Sequence, residues 1–481
     1  MARINTNVQS LIARRVLNTQ NTALNRSLER LSTGLRINSG RDDPSGLIAS
    51  ESLRSTNVAI TAAVENARRA DSVVSVAEGS LREINSLLLQ LEDLVDRSAN
   101  EGGLSQDEVE ANQLQIDAIL QSIDRIADSA SFGDIKLLDG KLDFTTSGVT
   151  AAYLTDVQIN AAKVPDGGYR DVVVEVQASS LQAQLVHTGA TLASNTAFQI
   201  RGNYGSELLS FAQGTVMSAV AFAVNSTTEL TGVSASATTA GTSYLTFQSV
   251  GYGDDAFVSV NLLDGTFALT ADSPTGSTAT QDYGRDGTVT INGTQATVHG
   301  LGATVNAGSL AVKMTMDTAF AQSATSTSFQ VTGGGAVFAI SPQIGLAGRE
   351  TIGIGSVTTA SLGKQTISST NHFLSSLGSG QTNDLNSKNF AVAQRVVNEA
   401  IKEISSLRGR IGAFQKNTLD TTINSLLVTN ENITAAESAI RDADFAVETS
   451  DLTRAQILVN SSLIALQGAN QQPATILQLL G

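Results

Sequence analysis

The side chains that most often perform catalysis or bind metals are few and widely separated in this sequence. The chain has no cysteine, and its three histidines, His187, His299 and His372, stand far apart with no His-Glu-x-x-His pair among them. Because a zinc site needs imidazole or thiolate ligands at close spacing, this pattern predicts no metal site. No nucleophile, general base and orienting group occur together in a recognisable motif, so we expect neither an enzyme nor a bound cofactor.

Glycine and aspartate clusters in the middle of the chain predict turns. Gly300-Leu-Gly302 and Gly353-Ile-Gly355 lack the third glycine and the following helix of a dinucleotide-binding loop. Asp254-Asp255 and the segment 282–287 do not match the spacing of a calcium-binding loop. Turn chemistry therefore explains these clusters better than ligand binding.

Composition excludes several classes of partner. The chain has 481 residues, with 45 acidic against 30 basic side chains and a net charge of −15. This length allows several domains. A nucleic-acid surface needs an excess of Lys and Arg, so nucleic acid is not an expected partner. No apolar run has the length of a membrane span or the form of a secretory signal core, so we expect no membrane partner and no cleaved signal peptide.

An apolar stripe near the amino terminus is the element around which the chain is organised. Its leucines recur at seven-residue spacing with a companion position between them, which predicts an amphipathic helix. The stripe consists of Leu17, Leu24, Leu28, Leu31 and Leu35. The predicted helix extends to Ser39, where a breaker cluster ends it. No adjacent segment covers the stripe, so we expect a partner from the far end of the chain.

A second helical segment runs from Asn57 to Arg97, and its apolar residues alternate at three- and four-residue steps. This is the seam of a coiled coil. The seam residues are Val74, Leu81, Ile84, Leu88, Leu91 and Val95. A further helix starts after Ser105, where Glu108 completes a predicted capping box. The two helices are expected to form an antiparallel hairpin.

The middle of the chain, from Leu142 to Lys364, is rich in Ser, Thr, Gly and Ala and poor in basic residues. Short β-favouring runs at 171–177, 244–248 and 288–292 lie between turn residues and predict strands. One helix is predicted at 215–224. This region is therefore expected to be a mainly β insertion.

The helical pattern returns at Asn389 and is predicted to continue without interruption to Pro473, which marks its end. After a phase change near residues 409–412, a second seam follows at seven-residue steps. Its residues are Leu419, Leu426, Ile433 and Ile440. A final amphipathic helix carries Leu452, Val459, Leu463 and Leu466.

These patterns predict an α+β multi-domain fold in which N- and C-terminal helices form a split coiled-coil-like bundle around an all-β variable insertion. We expect a terminal assembly domain of residues 1–45 with 446–481. A coiled-coil domain with a small β-hairpin is expected at 46–141 with 365–445, and the outer insertion, of one or two subdomains, at 142–364.

Motifs at both ends resemble bacterial flagellin. At the amino end these are Leu28-Glu-Arg-Leu-Ser-Thr-Gly-Leu-Arg-Ile-Asn-Ser39 and Arg41-Asp-Asp-Pro-Ser-Gly46. At the carboxyl end they are Ile440-Arg-Asp-Ala-Asp-Phe-Ala-Val-Glu448 and Gln467-Gly-Ala-Asn-Gln-Gln-Pro-Ala-Thr-Ile-Leu477. The resemblance covers about residues 1–140 and 389–481.

The resemblance implies a structural subunit that polymerises into the extracellular flagellar filament. The terminal helices would line the inner tube, and pairing within and between subunits would drive assembly. It also implies a flagellar export chaperone, the export apparatus, the filament cap and hook-associated junction proteins as partners. The alternatives are the hook-filament junction protein itself, or an adhesin or glycan-binding module in the insertion, for which the aromatic content of 4% is low.

In some flagellins, part of the first long helix is recognised by a Toll-like receptor of animal innate immunity. By resemblance, the diverged counterpart here comprises Leu89, Gln90, Leu94 and Gln115, with Gln90 in place of the arginine of the family's pattern. Because glutamine cannot reproduce the multi-donor contact of arginine, weak receptor activation is expected. The polar residues Arg30, Arg36, Arg41, Asp42 and Asp43 are expected either to form ion pairs between subunits or to be a solvated face.

Overall fold

The computed structural model describes residues 6–100, 103–238, 244–271, 278–367 and 370–480. The chain divides into two compact units. Unit 1 comprises residues 1–71, 339–344 and 415–481, and unit 2 comprises residues 72–338 and 345–414. In the part of the chain that is described, no helix combines the length and apolar character needed to cross a membrane.

Long helices form the two ends of the chain, and short ones lie in its middle. In chain order they are α1 (Val8–Thr33), α2 (Pro44–Ser98), α3 (Gln106–Ser129), α4 (Met217–Ser226), α5 (Thr228–Thr231), α6 (Thr318–Ala321), α7 (Phe390–Ala413), α8 (Asp420–Arg441) and α9 (Phe445–Leu480). A π-helical segment, Phe414–Leu419, joins α7 to α8. Short 3-10 turns occur at Leu346–Gly348, Leu374–Leu377 and Leu385–Ser387.

Strands occupy the region between α3 and α7. They are β1 (Ser131–Phe132), β2 (Ile135–Lys136), β3 (Phe144–Ser147), β4 (Leu154–Ala162), β5 (Arg170–Ala178), β6 (Gln184–Thr188), β7 (Thr196–Arg201), β8 (Ser206–Phe211), β9 (Val233–Thr238), β10 (Tyr244–Ser249), β11 (Phe257–Asp264), β12 (Thr270–Ala271), β13 (Gln281–Tyr283), β14 (Thr288–Ile291), β15 (Thr294–Gln295), β16 (Thr297–His299), β17 (Gly302–Ala307), β18 (Leu310–Met316), β19 (Ser326–Gly334), β20 (Ala336–Ala339), β21 (Arg349–Ile352), β22 (Gln365–Ile367) and β23 (Thr370–His372). The predicted strands near 171, 244 and 288 are confirmed as β5, β10 and β14, and the predicted helix near 215 is α4.

Helix α1 is shorter than predicted, and its expected end at Ser39 is wrong. Gly34 adopts the left-handed conformation at φ 73° and donates its N–H to the carbonyl of Arg30, which closes the helix after Thr33. Leu35, expected on the helical stripe, therefore lies beyond the helix and forms an isolated β-bridge with Asp442.

Helix α2 begins earlier than the predicted start at Asn57. Pro44 occupies its first position, where a missing N–H costs nothing. The carboxylate of Asp43 accepts the backbone N–H of Gly46 at 2.9 Å and caps the helix. These two local signals outweigh the weak apolar periodicity of the first turns.

The carboxyl-terminal helical region differs from its prediction in two places. The expected uninterrupted helix is wrong because residues 442–444 separate α8 from α9. The expected end at Pro473 is also wrong, because α9 continues to Leu480. A proline removes one backbone donor, and the good helix formers after it allow the helix to resume.

One helical core organises unit 2. Apolar residues of α2, α3 and α7 pack together in it, including Leu81, Ile84, Ile123, Ile404 and Ile411, which are fully buried. Glu78 and Arg408 form an ion pair at 3.0 Å, and Gln394 donates to Asp96 at 2.9 Å, so α2 and α7 run antiparallel. The predicted capping box of Ser105 and Glu108 is confirmed at the start of α3.

The β region of unit 2 contains two further cores between antiparallel sheets. The sheets ordered β15-β14-β5-β19-β3 and β16-β17-β18-β4 contribute to the first, which includes Val174, Ile291, Val312 and Phe329. The sheets ordered β12-β6-β10-β9 and β13-β11-β7-β8 contribute to the second, together with α4. The predicted β insertion is thus confirmed as mainly antiparallel sheet.

Candidate assembly surface

The two terminal helices of unit 1 pack against each other in antiparallel orientation. Asn7 donates its side-chain N–H to the carbonyl of Ala469 at 2.6 Å at one end of the pair. Arg30 and the buried carboxylate of Glu448 lie 3.6 Å apart at the other end. The predicted long-range partner of the amino-terminal stripe, the carboxyl-terminal helix, is therefore found in the structure.

The predicted stripe residues are only partly covered by this pairing. Half-buried positions are Leu17, Leu24, Leu31 and Leu35 from the amino end and Leu452, Val459 and Leu466 from α9. Leu28 and Leu463 are 47% and 46% exposed. A two-helix pair can bury only one stripe of each helix, so part of each apolar face stays open to solvent.

Apolar residues outside the predicted stripe extend this exposed surface, and the heptad pattern missed them. They are Val8, Leu11, Ile12 and Val16 on α1, and Phe445, Val447, Ile457, Leu458 and Ile464 on α9. Ile464 is 69% exposed. A groove of about 580 Å³ between the helices is lined by Ile12, Val16 and Leu458. The signal that could have found them is a second apolar position on each turn, beyond what one seam needs.

Hydrogen bonds join the segment that follows α1 to the carboxyl end of α8. Arg36 donates from its guanidinium to the carbonyl of Ile440 at 2.6 Å and from its backbone to that of Arg441 at 2.7 Å. The Arg441 guanidinium in turn lies 3.0 Å from Glu51. Arg30 and Arg36 thus form contacts within one chain. The sequence suggested either ion pairs between subunits or a solvated face, and neither interpretation included contacts within the chain.

Two carboxylates shape the turn between α1 and α2. Hydrogen bonds from the side chain and backbone of Ser39 hold the pKa of Asp42 below its ordinary value. The backbone N–H of Gly46 does the same to the pKa of Asp43. Both carboxylates thus serve as ionised acceptors for the turn.

The second predicted seam lies in unit 1, where α2 and α8 are antiparallel. Asn57 donates to Thr434 at 2.8 Å and accepts from Asn430 at 3.1 Å. Leu419 is fully buried, whereas Leu426, Ile433 and Ile440 are half-buried. The described part of this helix pair therefore leaves apolar surface accessible as well.

The first predicted seam is completely enclosed in the helical core of unit 2. Val74, Leu81, Ile84, Leu88, Leu91 and Val95 are each at most 1% exposed. This seam is a structural core and has no surface left for a second molecule.

The diverged counterpart of the receptor epitope lies on α2 and α3. Leu89 is 50% exposed, and Gln90 and Gln115 are exposed. Leu94 is 9% exposed and packs in the helical core. Three of the four side chains are therefore accessible to a partner.

A group with suitable donor atoms for a metal ion exists among the described residues. Asp254, Asp255 and His299 place their ligand atoms within 4.8 Å of one another. All three side chains are exposed. The fold brings His299 next to two carboxylates that are distant from it in sequence, but exposed carboxylates of this kind are common without a metal.

Comparison with known proteins identifies both ends of the chain. A profile of the bacterial flagellin N-terminal helical region matches residues 4–143, and one of the bacterial flagellin C-terminal helical region matches residues 394–480. These two matches contain the whole of α1, α2, α3, α8 and α9.

Similar proteins match over almost the full length. Polar flagellin F of Vibrio parahaemolyticus is 28% identical over 487 residues, and the flagellin of Salmonella typhimurium is 28% identical over 515 residues. Each match covers 99% of both chains. The solved structure of FliC from Burkholderia pseudomallei is 14% identical, with a TM-score of 0.24, over 72% of this chain and 98% of that one.

The sequence left the hook-filament junction protein as the nearest alternative to a filament subunit. The full-length relatives described above are named flagellins, which favours the filament subunit. Flagellins are structural proteins and not enzymes, in agreement with the lack of a catalytic motif. With both terminal profiles and full-length relatives in agreement, the chain belongs to the bacterial flagellin family, the structural subunits of the flagellar filament.

Proposed function

We propose that this subunit polymerises through the apolar surface that α1 and α9 leave uncovered. The observation that carries the proposal is the row of large apolar side chains on both helices, of which Ile464, Ile457 and Leu11 are 69%, 60% and 56% exposed. Exposed apolar surface on this scale is costly in water and marks a site of association.

The pairing of α1 with α9 supports an open polymer instead of a closed dimer. The exposed apolar residues of α1 differ in sequence from those of α9, so a contact between α1 of one subunit and α9 of another would join two different surfaces. A contact between different faces of identical subunits is heterologous, and repeated contacts of this type produce a helical assembly when the rotation does not close. Terminal helices that pair within and between subunits would then line the inner tube.

The domain division predicted from sequence is part of this proposal. Residues 1–45 with 446–481 would form the assembly domain, and residues 46–141 with 365–445 the coiled-coil domain. The insertion at 142–364 would project from the filament. The buried seam of α2 supports a coiled-coil domain that stays folded when the assembly surface is altered.

We further propose that the chain is exported without a cleaved signal peptide through the flagellar export apparatus, with the help of an export chaperone. The absence of cysteine from the sequence suits this route, because the chain has no disulfide that would have to be reduced before export. The filament cap and the hook-associated junction proteins are the proposed partners at the two ends of the filament.

The experiment that tests polymerisation compares two substitutions of exposed apolar side chains. Ile464→Asp alters α9 of the assembly surface, and Phe222→Asp alters α4 of the insertion, where Phe222 is 77% exposed. Burial of an unpaired carboxylate in a contact between subunits is strongly unfavourable. We expect Ile464→Asp to raise the critical concentration for polymerisation by at least about tenfold. The control should polymerise like the parent chain.

Electron microscopy and sedimentation measure the outcome, and circular dichroism checks that both variants fold. Deletion of residues 451–481 should also abolish filament growth while leaving unit 2 folded and soluble. Filaments of normal length from the deletion variant, or equal critical concentrations for the two point variants, would refute the proposed assembly surface.

A further inference from the structure

A polar cleft in unit 2 lies apart from every surface used above. It has a volume of about 360 Å³ and is formed where β6, β10 and β13 meet. Most of its lining side chains carry a primary amide. Its polar lining includes Gln182, Gln184, Gln248, Gln281, Tyr283 and Arg285.

Backbone contacts hold the walls of this cleft in place. The carboxylate of Asp282 accepts the backbone N–H of Gln184 at 2.8 Å and ties β13 to β6. Leu181 and Arg285 exchange backbone hydrogen bonds at 2.8 and 3.0 Å. At Gly284, a Cβ would lie 2.4 Å from the carbonyl oxygen of Gly253 and 2.6 Å from that of Leu181. Only glycine fits between these segments, so the backbone is closely packed at this part of the cleft wall.

Tyr283 provides an exposed aromatic ring in the lining of the cleft. Its side chain is 58% exposed, and its hydroxyl accepts a hydrogen bond from the amide of Gln281 at 2.9 Å. The ring of Phe257 lies 6.2 Å from that of Tyr283. More than half of the Tyr283 side chain is open to solvent, so its ring can stack against the C–H face of a ligand ring.

The charges of the lining indicate an uncharged ligand. Arg285 is the one cationic and Asp282 the one anionic side chain among the lining residues. Asp282 is already engaged with the backbone N–H of Gln184. A phosphate or carboxylate ligand usually needs several converging donors with positive charge, and one arginine beside an aspartate does not supply this.

The amides define the chemistry further. Each glutamine side chain offers one acceptor oxygen and two N–H donors. Neighbouring hydroxyl groups on a ring each donate and accept hydrogen bonds, so they need both donors and acceptors from the protein, and glutamine amides supply both. Leu181 is the single aliphatic side chain that lines the cleft, so the lining favours a polar ligand. The amides of Gln182 and Gln281 already donate within the protein, to the carbonyl of Ser249 at 2.8 Å and to the Tyr283 hydroxyl at 2.9 Å. Gln184 and Gln248 are therefore the amides that we expect to meet a ligand.

We propose that this cleft binds a neutral carbohydrate, with one pyranose ring stacked on Tyr283 and its hydroxyls hydrogen-bonded to the glutamine amides. The register of the sheet places Gln184 directly opposite Gln248, so two amides lie side by side. The insertion would then give the filament a sugar-binding surface. This inference does not depend on how the terminal helices assemble.

Saturation-transfer NMR on the purified full-length monomer tests the proposal. The probes are the methyl pyranosides of glucose, galactose and mannose, and N-acetylglucosamine. We expect saturation transfer to at least one of them, reduced about tenfold in Tyr283→Ala. Tyr169→Ala is the matched control, because Tyr169 is 56% exposed and does not line the cleft. The control should bind like the parent chain.

A second pair of variants tests the amides without touching the aromatic ring. Gln248→Ala should weaken binding, whereas Gln295→Ala, on the exposed strand β15, should not. The proposal is overturned by no transfer to any of the four sugars. It is also overturned by equal losses in each variant and its control, or by stronger transfer to the anionic N-acetylneuraminic acid than to every neutral sugar.

Discussion

Replacement of Leu81 by alanine gives the sharpest test of the helical core in unit 2. Leu81 is fully buried against other apolar residues of that core. The substitution removes three carbon atoms, worth about 0.8 kcal/mol each in transfer free energy. The cavity left behind adds to this, so the free energy of unfolding should fall by about 3–5 kcal/mol.

Leu89→Ala is the matched control, since it makes the same chemical change on the same helix. The Leu89 side chain is 50% exposed. Its replacement should change the free energy of unfolding by less than about 1 kcal/mol. Urea denaturation of the monomer, followed by far-ultraviolet circular dichroism, measures both variants. Equal losses would refute the assignment of Leu81 to a buried seam and of Leu89 to the surface.

Three other predictions follow from charge and from exposure. Burial raises the pKa of Glu403 despite the N–H donated by Gly363, and Glu399 adds to the rise. The folded state therefore binds this proton more tightly, and the stability cost of ionisation develops as pH rises through the raised pKa. Glu403→Gln should match the parent in acid and have a higher melting temperature at neutral pH, whereas a constant difference across pH would contradict this. Added salt should lower the critical concentration for polymerisation by screening the net charge of −15, and filaments that dissolve in salt would contradict the role of apolar burial. In a Toll-like receptor reporter assay the parent chain should be less potent than an enterobacterial flagellin and Gln90→Arg more potent than the parent, while a fully potent parent would refute the role of Gln90.

The helical fold could be predicted because its periodicity is local and repeated many times. Helices α2 and α7 have apolar residues at regular steps over several turns, and the packing follows directly from them. Helix ends depend on single residues instead. Gly34 ends α1 early through its positive φ, and Pro473 fails to end α9. Element boundaries were therefore the least predictable part of the helical regions.

The assembly surface was predicted only in part, because exposure is not a local property of sequence. A heptad stripe predicts which side of a helix meets a partner, and the partnership of α1 and α9 was correctly expected. It does not predict that Ile457 and Ile464 stay exposed after the helices pair. The polar cleft could not be predicted, because Gln184, Gln248 and Tyr283 lie on three strands that are far apart in the sequence.

The π-helical segment Phe414–Leu419 accounts for the phase change in the carboxyl-terminal heptads. Ile404 and Ile411 are seven residues apart, but the next seam position, Leu419, comes eight residues later. A π-turn accommodates one extra residue within a continuous helix. The seams before and after it can therefore keep their own reading frames. A homologue that lacks one residue here could have an ordinary α-helical turn in place of the π-helical segment. A one-residue gap at this point in a sequence alignment would then reflect this difference in helix geometry, and not an alignment error.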